Sequence, residues 1–323
     1  MSNSTQRTTC FFLAFILAFF SLSAQDSAGV RAFHFQHDFR KADSFFQNEL
    51  SLNPRRKRLV SVMGLGVYAG SMLYLGSAWY SQEDLSRFHF FNDMHEWKQI
   101  DKAGHTLGGY HSSRMMIGMY KWSGMEKNKA ILYGSLSGFL AMSSIEVFDG
   151  FGETWGFSWP DIGANFLGAS LAAGNQWLWN EDRIQLKVSY VPSVYAGNPD
   201  FEHLFGSNPA EWILKDYNGH TMWLSVRVHS FLPESTFRDR YPRWLNLAVG
   251  YGAEGLEGGY DDPSKAWLER EYRQLYLSLD IDVSQIRTRS GFLNTLFSVV
   301  NIVRIPLPAV QFDKTGVGFR AFQ

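Results

Sequence analysis

The order of apolar and polar positions divides the chain into three regimes. The first is a short apolar run from Phe11 to Leu22, behind Arg7 and ahead of Ser23-Ala24-Gln25. A positive charge, a run too short to span a bilayer and small residues at its end form the pattern of a secretory signal peptide, here residues 1–24. The second regime is helical. Phe39, Ala42, Phe46 and Leu50 recur at helical spacing and predict a short amphipathic helix ending before Pro54. It lies in an entry segment, residues 25–58, that closes on the basic block Arg55 to Arg58. No charged residue occurs from Leu59 to Tyr80, a stretch long enough to cross a membrane. Further helices are predicted from about Asp101 to Trp122, Lys127 to Asp149 and Pro160 to Trp179. Small residues four apart mark all four: Gly66 and Gly70; Gly104 and Gly108; Gly134 and Gly138; Ala164, Gly168 and Ala172. Such spacing lets helix backbones approach closely, in membrane pairs or in a tight soluble bundle. Residues 59–180 therefore read as a four-helix unit.

After Asn180 the period changes from helical to two-fold. Ile184, Leu186, Val188 and Tyr190 alternate with Gln185, Lys187 and Ser189. Three more runs alternate in the same way, from Met222 to Val228, from Leu245 to Tyr251 and from Leu275 to Val283. The end, Ala309 to Gln323, predicts a strand pair turning near Lys314-Thr315-Gly316. About six strands are too few for the smallest closed outer-membrane barrel, which takes eight. The expectation is an antiparallel sheet whose apolar face packs on the helices. The fold class is α+β: the helical unit, then an antiparallel β-meander or partial barrel over residues 181–323.

Composition narrows where such a chain works. Aromatics make up 16% of the residues and charged side chains only 19%, with a net charge of −1. That balance gives no general electrostatic reason to bind nucleic acid. The lone cysteine, Cys10, lies in the signal segment. A mature chain without it has no disulfide, no thiol nucleophile, no cysteine-ligated zinc and no cysteine for a lipid anchor. If the N-terminus is exported, Arg55 to Arg58 would lie outside the inner membrane, against the positive-inside rule. An exported protein of the outer membrane or periplasm of a Gram-negative bacterium is expected. Its possible partners are membrane lipid or another envelope component.

Residues 101–165 carry the candidate chemistry. Asp101 and His105 are four apart on one helix, as are Asp161 and Asn165, and Glu146 and Asp149 are three apart on another. Polar pairs on three apolar helices are costly to bury singly, so they are expected to face one another. Asp101, His105, Glu146 and Asp161 form a candidate catalytic set, with Asp101 orienting His105 as a base and Glu146 as a second acid or base. His105, Glu146 and Asp149 are a candidate divalent-metal set, in the manner of bundle-core sites. Lys102, Ser158 and Asn165 are network or capping residues. A structural reading stands beside these: Asp101 and Asp161 near helix N-termini, Ser158 and Pro160 as a helix start, and Gly150 as a helix end. Ser158 lacks the strained strand-to-helix turn of a hydrolase nucleophile. Gly64-Leu65-Gly66 with Gly70 has no preceding strand, which excludes a dinucleotide loop. Glu254, Glu257, Asp261 and Asp262 lack calcium-loop spacing and read as a solvated loop.

Taken together, Asp101-Lys102-x-x-His105, Glu146-x-x-Asp149 and Phe157-Ser158-x-x-Asp161-x-x-x-Asn165-x-x-Gly168-Ala169 resemble the YfiM-like family of predicted periplasmic proteins, a domain of unknown function. The strand region is similar to the extension of its long, Bacteroidetes-type members. A more distant resemblance is to VanZ-like membrane proteins, where a glutamine usually stands in the place of Asp149. The resemblance implies an envelope location and a helical domain, and no reaction. Short family members look like lipoproteins; here Gln25 replaces the cysteine, so attachment would come from helices or strands. The expected role is structural or in assembly. The alternatives are an envelope hydrolase acting on lipid or glycan, or an amphiphile-binding module.

Overall fold

The computed structural model describes residues 51–78, 85–260, 264, 271–286 and 288–323. The predicted signal segment with Cys10, the predicted Phe39–Leu50 helix and Asp261 and Asp262 lie outside these. The fold is α+β. Four long helices come first: α1 (Pro54–Ala78), α2 (Ile100–Trp122), α3 (Lys127–Asp149) and α4 (Trp159–Leu178). A two-stranded parallel pair, β1 (Phe90–Phe91) with β2 (Phe157–Ser158), clips the approach to α2 against the start of α4. Six strands follow: β3 (Ile184–Tyr190), β4 (His220–Val226), β5 (Leu245–Glu254), β6 (Tyr272–Ile281), β7 (Ala309–Asp313) and β8 (Gly316–Arg320). They pair antiparallel in sequence order. Helix α5 (Gly291–Val300) lies between β6 and β7.

Glycine sets the helix spacing where backbones meet. A Cβ on Gly134 would lie 2.5 Å from the Ile117 nitrogen, one on Gly138 2.3 Å from that of Ser113, and one on Gly168 2.0 Å from the Thr106 carbonyl. Helices α3 and α4 thus each press on α2. Among the described residues, Gly66 and Gly70 meet nothing within 4 Å. The close packing expected of the first helix is not seen there, because α1 only leans on the bundle. It touches through Arg56, 4.8 Å over the Trp122 ring, and a Tyr68–Ser144 hydrogen bond of 2.8 Å. Gly64, Gly66 and Gly70 sit inside this helix, not in a loop.

The sheet has the expected period and the opposite sense. Its buried face is largely polar: Gln185, Lys187, Ser189, Thr221, Ser225, Asn246, Gln274, Ser278 and Asp280 are all buried, around an apolar cluster of Trp223, Ala248, Tyr276 and Ala309. Its apolar face covers the helices only in part. Leu186 packs on the Tyr110, Ile117 and Ala172 cluster, and Leu224, Leu247, Val249, Leu275, Leu277 and Leu279 are exposed. Expectation and structure part here because alternation says which residues share a face, not which face is inside.

Much of the polar interior is paired across strands. Lys187 Nζ lies 2.7 Å from Asp280 and donates to Asn301 Oδ1 at 2.9 Å. Arg227 meets Asp282 at 2.7 Å. The Arg304 guanidinium lies 3.9 Å over Trp223 and donates to Ser278 and to the Leu279 carbonyl. The chain before Arg304 pairs with β3 through Val188. Gln323, past β8, donates to Thr221 on β4. The six strands therefore wrap their own polar face, as a partial barrel.

Candidate functional site

Three helix ends meet at one end of the bundle: the starts of α2 and α4 and the end of α3. The approach to α2 is strained. Trp97, Lys98 and Gln99 have φ of 49°, 49° and 66°, a left-handed turn costing about 1–2 kcal/mol per residue. Tertiary contacts hold it. The Trp97 amide donates to the Gly259 carbonyl at 2.7 Å, its ring packs on Phe205 and Tyr217, and Tyr251 donates to the Lys98 carbonyl. Directly after this turn come Asp101, Lys102 and His105. Strain of this kind gathers where a site must be held in place.

Lys102 is the hub. Its ammonium lies 2.7 Å from Asp93, 2.9 Å from Asp101 and 2.8 Å from Asp161, with only 11% of its side chain exposed. Ser158 Oγ donates to Asp93 at 2.6 Å and accepts the Asp161 amide at 3.1 Å, capping α4 as the sequence suggested. Tyr217 donates to Asp101 Oδ1 at 2.9 Å. The Ser158 amide points to Glu146 Oε2 at 3.4 Å. Burial pushes the Asp93 carboxyl up, but hydrogen bonds from Asp161, Lys102 and Ser158 more than offset this and hold it below its ordinary value.

His105 stands between two sets of oxygens. Its Nδ1 is 3.3 Å from Asn165 Oδ1 and 3.6 Å from Glu146 Oε1. Its Nε2 is 3.9 Å from Asp101 Oδ1 and 4.0 Å from Asp161 Oδ1. Asp101, His105, Glu146, Asp161, Lys102, Ser158 and Asn165 are thus all brought together. The donor atoms that converge within 4.8 Å are those of Asp101, His105 and Asp161. Glu146 faces the other ring nitrogen, and Asp149 ends α3 one turn further on. Two members escape sequence reasoning. Asp93 sits in an aperiodic loop, and Tyr217 comes from the turn before β4, far along the chain.

A cleft of about 470 Å³ opens beside the cluster, lined by Phe90, Phe91, Asn92, Met94, His95, Trp159 and Pro160. Its walls neighbour Asp93 and Ser158 in sequence, and none of the cluster residues lines it. Chemically, the cluster offers a buried imidazole with carboxylates on both sides and one ammonium that neutralises part of their charge.

Residues 89–175 match the model of a family described as a predicted periplasmic lipoprotein, DUF2279. The match runs from the approach to β1 into α4 and includes every member of the cluster except Tyr217. It covers well under half of the chain, so it marks a similarity of the helical part. It supports an envelope protein from a family of unknown function. No curated protein and no solved structure is significantly similar to the chain.

Proposed function

We propose that this chain is an outer-membrane protein with a structural or assembly role, its helices and strands sharing one lipid-facing surface. The observation that carries this is the inverted sheet. In water, a buried Lys187–Asp280 pair and a row of exposed leucines on β5 and β6 is the costly arrangement. In lipid it is the favourable one, since barrel strands put apolar residues outward and polar residues inward. The helices continue the same surface: Val62, Leu65, Leu73, Leu132, Leu140 and Leu167 are each more than half exposed. Helices α1 and α3 are long and apolar enough to cross a membrane, and only 6% and 22% of their most apolar windows are buried. That sets them apart from the core helices of a soluble protein, which are mostly buried. The outward-apolar strands and the basic first turn of α1 favour the outer over the inner membrane.

Fractionation of cells making the full chain tests this. The protein is expected with the outer membrane and resistant to extraction by carbonate. Recovery in the soluble periplasm, or with the inner membrane, would overturn it. The convergence of Asp101, His105, Glu146 and Asp161 favours a second reading, acid–base hydrolysis of a lipid or glycan. There, His105→Ala would abolish a phenotype at unchanged abundance; loss of abundance would mark the cluster as structural.

A further inference from the structure

The two ring nitrogens of His105 keep different company. Nδ1 lies 3.3 Å from Asn165 Oδ1 and 3.6 Å from Glu146 Oε1, and Nε2 is turned toward Asp101 Oδ1 and Asp161 Oδ1. With the ring hydrogen on Nδ1 and donated to Asn165, Nε2 presents its lone pair to a cation held by the two aspartates. Three electron-rich atoms from α2 and α4 address one point. Asp161, with 4% of its side chain exposed, meets the Lys102 ammonium at that same Oδ1, 2.8 Å away. Behind the ring, Glu146 Oε1 receives no well-aligned hydrogen bond, with 1% exposed. That one ammonium is shared among Asp93, Asp101 and Asp161, and it supplies nothing to His105 Nε2. Carboxylates that outnumber the buried cation beside them call for a second cation.

We propose that Asp101, His105 and Asp161 bind one first-row divalent transition ion through Asp101 Oδ1, His105 Nε2 and Asp161 Oδ1. Glu146 and Asn165 hold the ring from behind, the arrangement in which a ligating histidine gives its other N–H to an oxygen. A tetrahedral ion with bonds of ~2.0–2.2 Å places its ligand atoms ~3.3–3.6 Å apart. The observed separations of 3.9 and 4.0 Å from Nε2, with all three atoms within 4.8 Å of one another, close to that by side-chain movements of about half to one ångström. One imidazole with two carboxylates suits zinc or manganese, and imidazole disfavours magnesium and calcium. Three protein ligands leave a coordination position open for water or a ligand oxygen. The site holds for a structural protein and an enzyme alike.

The experiment uses the full chain purified in detergent, stripped with chelator and dialysed against Zn²⁺, Mn²⁺ or Mg²⁺ alone, with elemental analysis. One equivalent of Zn²⁺ or Mn²⁺ per chain is expected, and none of Mg²⁺ at the same free concentration. Asp161→Asn and His105→Gln should bind at least tenfold more weakly. Glu146→Gln should lose about 10–100-fold through the ring it orients. Asp149→Asn should bind as the parent does. Absence of a saturable equivalent in the parent, or parental affinity in His105→Gln, overturns the site. Equal binding of Mg²⁺ overturns the class of ion. Where His105→Gln or Asp161→Asn does not fold, Glu146→Gln decides. A metal-induced rise in melting temperature should be present in the parent and shifted to higher metal concentration in that variant. An identical metal dependence in both refutes the proposal.

Discussion

Replacing Lys102 by Met keeps most of the side-chain volume and removes one charge. Its ammonium contacts Asp93, Asp101 and Asp161 at 2.7, 2.9 and 2.8 Å, and these side chains are only 12%, 20% and 4% exposed. Burial leaves little solvent screening to soften the loss. Removing one partner of a buried ionic network typically costs about 3–5 kcal/mol, because the remaining charges stay desolvated without compensation. At about 2–4 °C per kcal/mol for a domain of this size, the melting temperature should fall by about 6–20 °C. The assay is thermal unfolding of the detergent-solubilised full chain, in chelator so that added metal cannot stand in for the ammonium. Lys102→Met with Asp161→Asn should recover part of the loss, since neutralising one carboxylate relieves the repulsion that the first change exposes. A coupling of about 1–3 kcal/mol is expected from the double-mutant cycle. A loss below about 1 kcal/mol for Lys102→Met, with no coupling to Asp161→Asn, would refute the hub role. It would mean that the carboxylates are neutralised by one another's protons.

Other changes probe the remaining layers. Leu277→Arg, on the outer face of β6, should lower recovery in the outer-membrane fraction, at a cost of up to about 2–4 kcal/mol if the site lies near mid-membrane; unchanged recovery would count against lipid contact there. Asp93 is held below its ordinary value of 3.8, so its stabilising contribution is fully present above that value. It is lost as pH falls through the lower folded value. An acid titration of stability should therefore lose a step below pH 3.8 in Asp93→Asn, and an unchanged profile would show that other groups govern acid unfolding.

The helices were legible because each carries both its period and its ends. The stretch from Asp101 to Trp122 is interrupted by no proline, and Ser158 with Pro160 announces the start of α4 three residues before its first buried carboxylate. The cluster was legible for the same reason. Asp101 with His105, and Asp161 with Asn165, keep a one-turn spacing on otherwise apolar helices, which puts each pair on one face. Asp93 and Tyr217 were not legible, since a loop residue has no period to betray its direction. The sequence marks Lys102 only as a network or capping residue. Its grip on three carboxylates at once depends on the loop bearing Asp93, whose path is decided by the β1–β2 pairing and by the aromatic contacts of Phe88, Phe90 and Phe157.

The sheet shows a different limit, and a more general one. Leu275, Leu277 and Leu279 alternate with Tyr276, Ser278 and Asp280 in a pattern that is identical for a water-facing and a lipid-facing strand. Periodicity is even-handed about which side is the solvent. What breaks the tie is pairing across distant strands. Lys187 on β3 meets Asp280 on β6, Ser225 on β4 donates to that same Asp280 at 2.6 Å, and Asn246 on β5 donates to Ser225 at 3.0 Å. Each of these residues read alone is an ordinary polar position on the outside of a strand. Together they are one connected interior, because an ammonium, an amide and a hydroxyl from three strands are linked to one another through the Asp280 carboxylate of a fourth. A sheet that turns its polar side chains inward presents leucine, valine and phenylalanine outward, as Leu277, Val249 and Phe319 show. Helices α1 and α3 likewise expose Leu65, Leu73, Leu132 and Leu140, with the His105 cluster gathered where α2 and α4 begin and α3 ends.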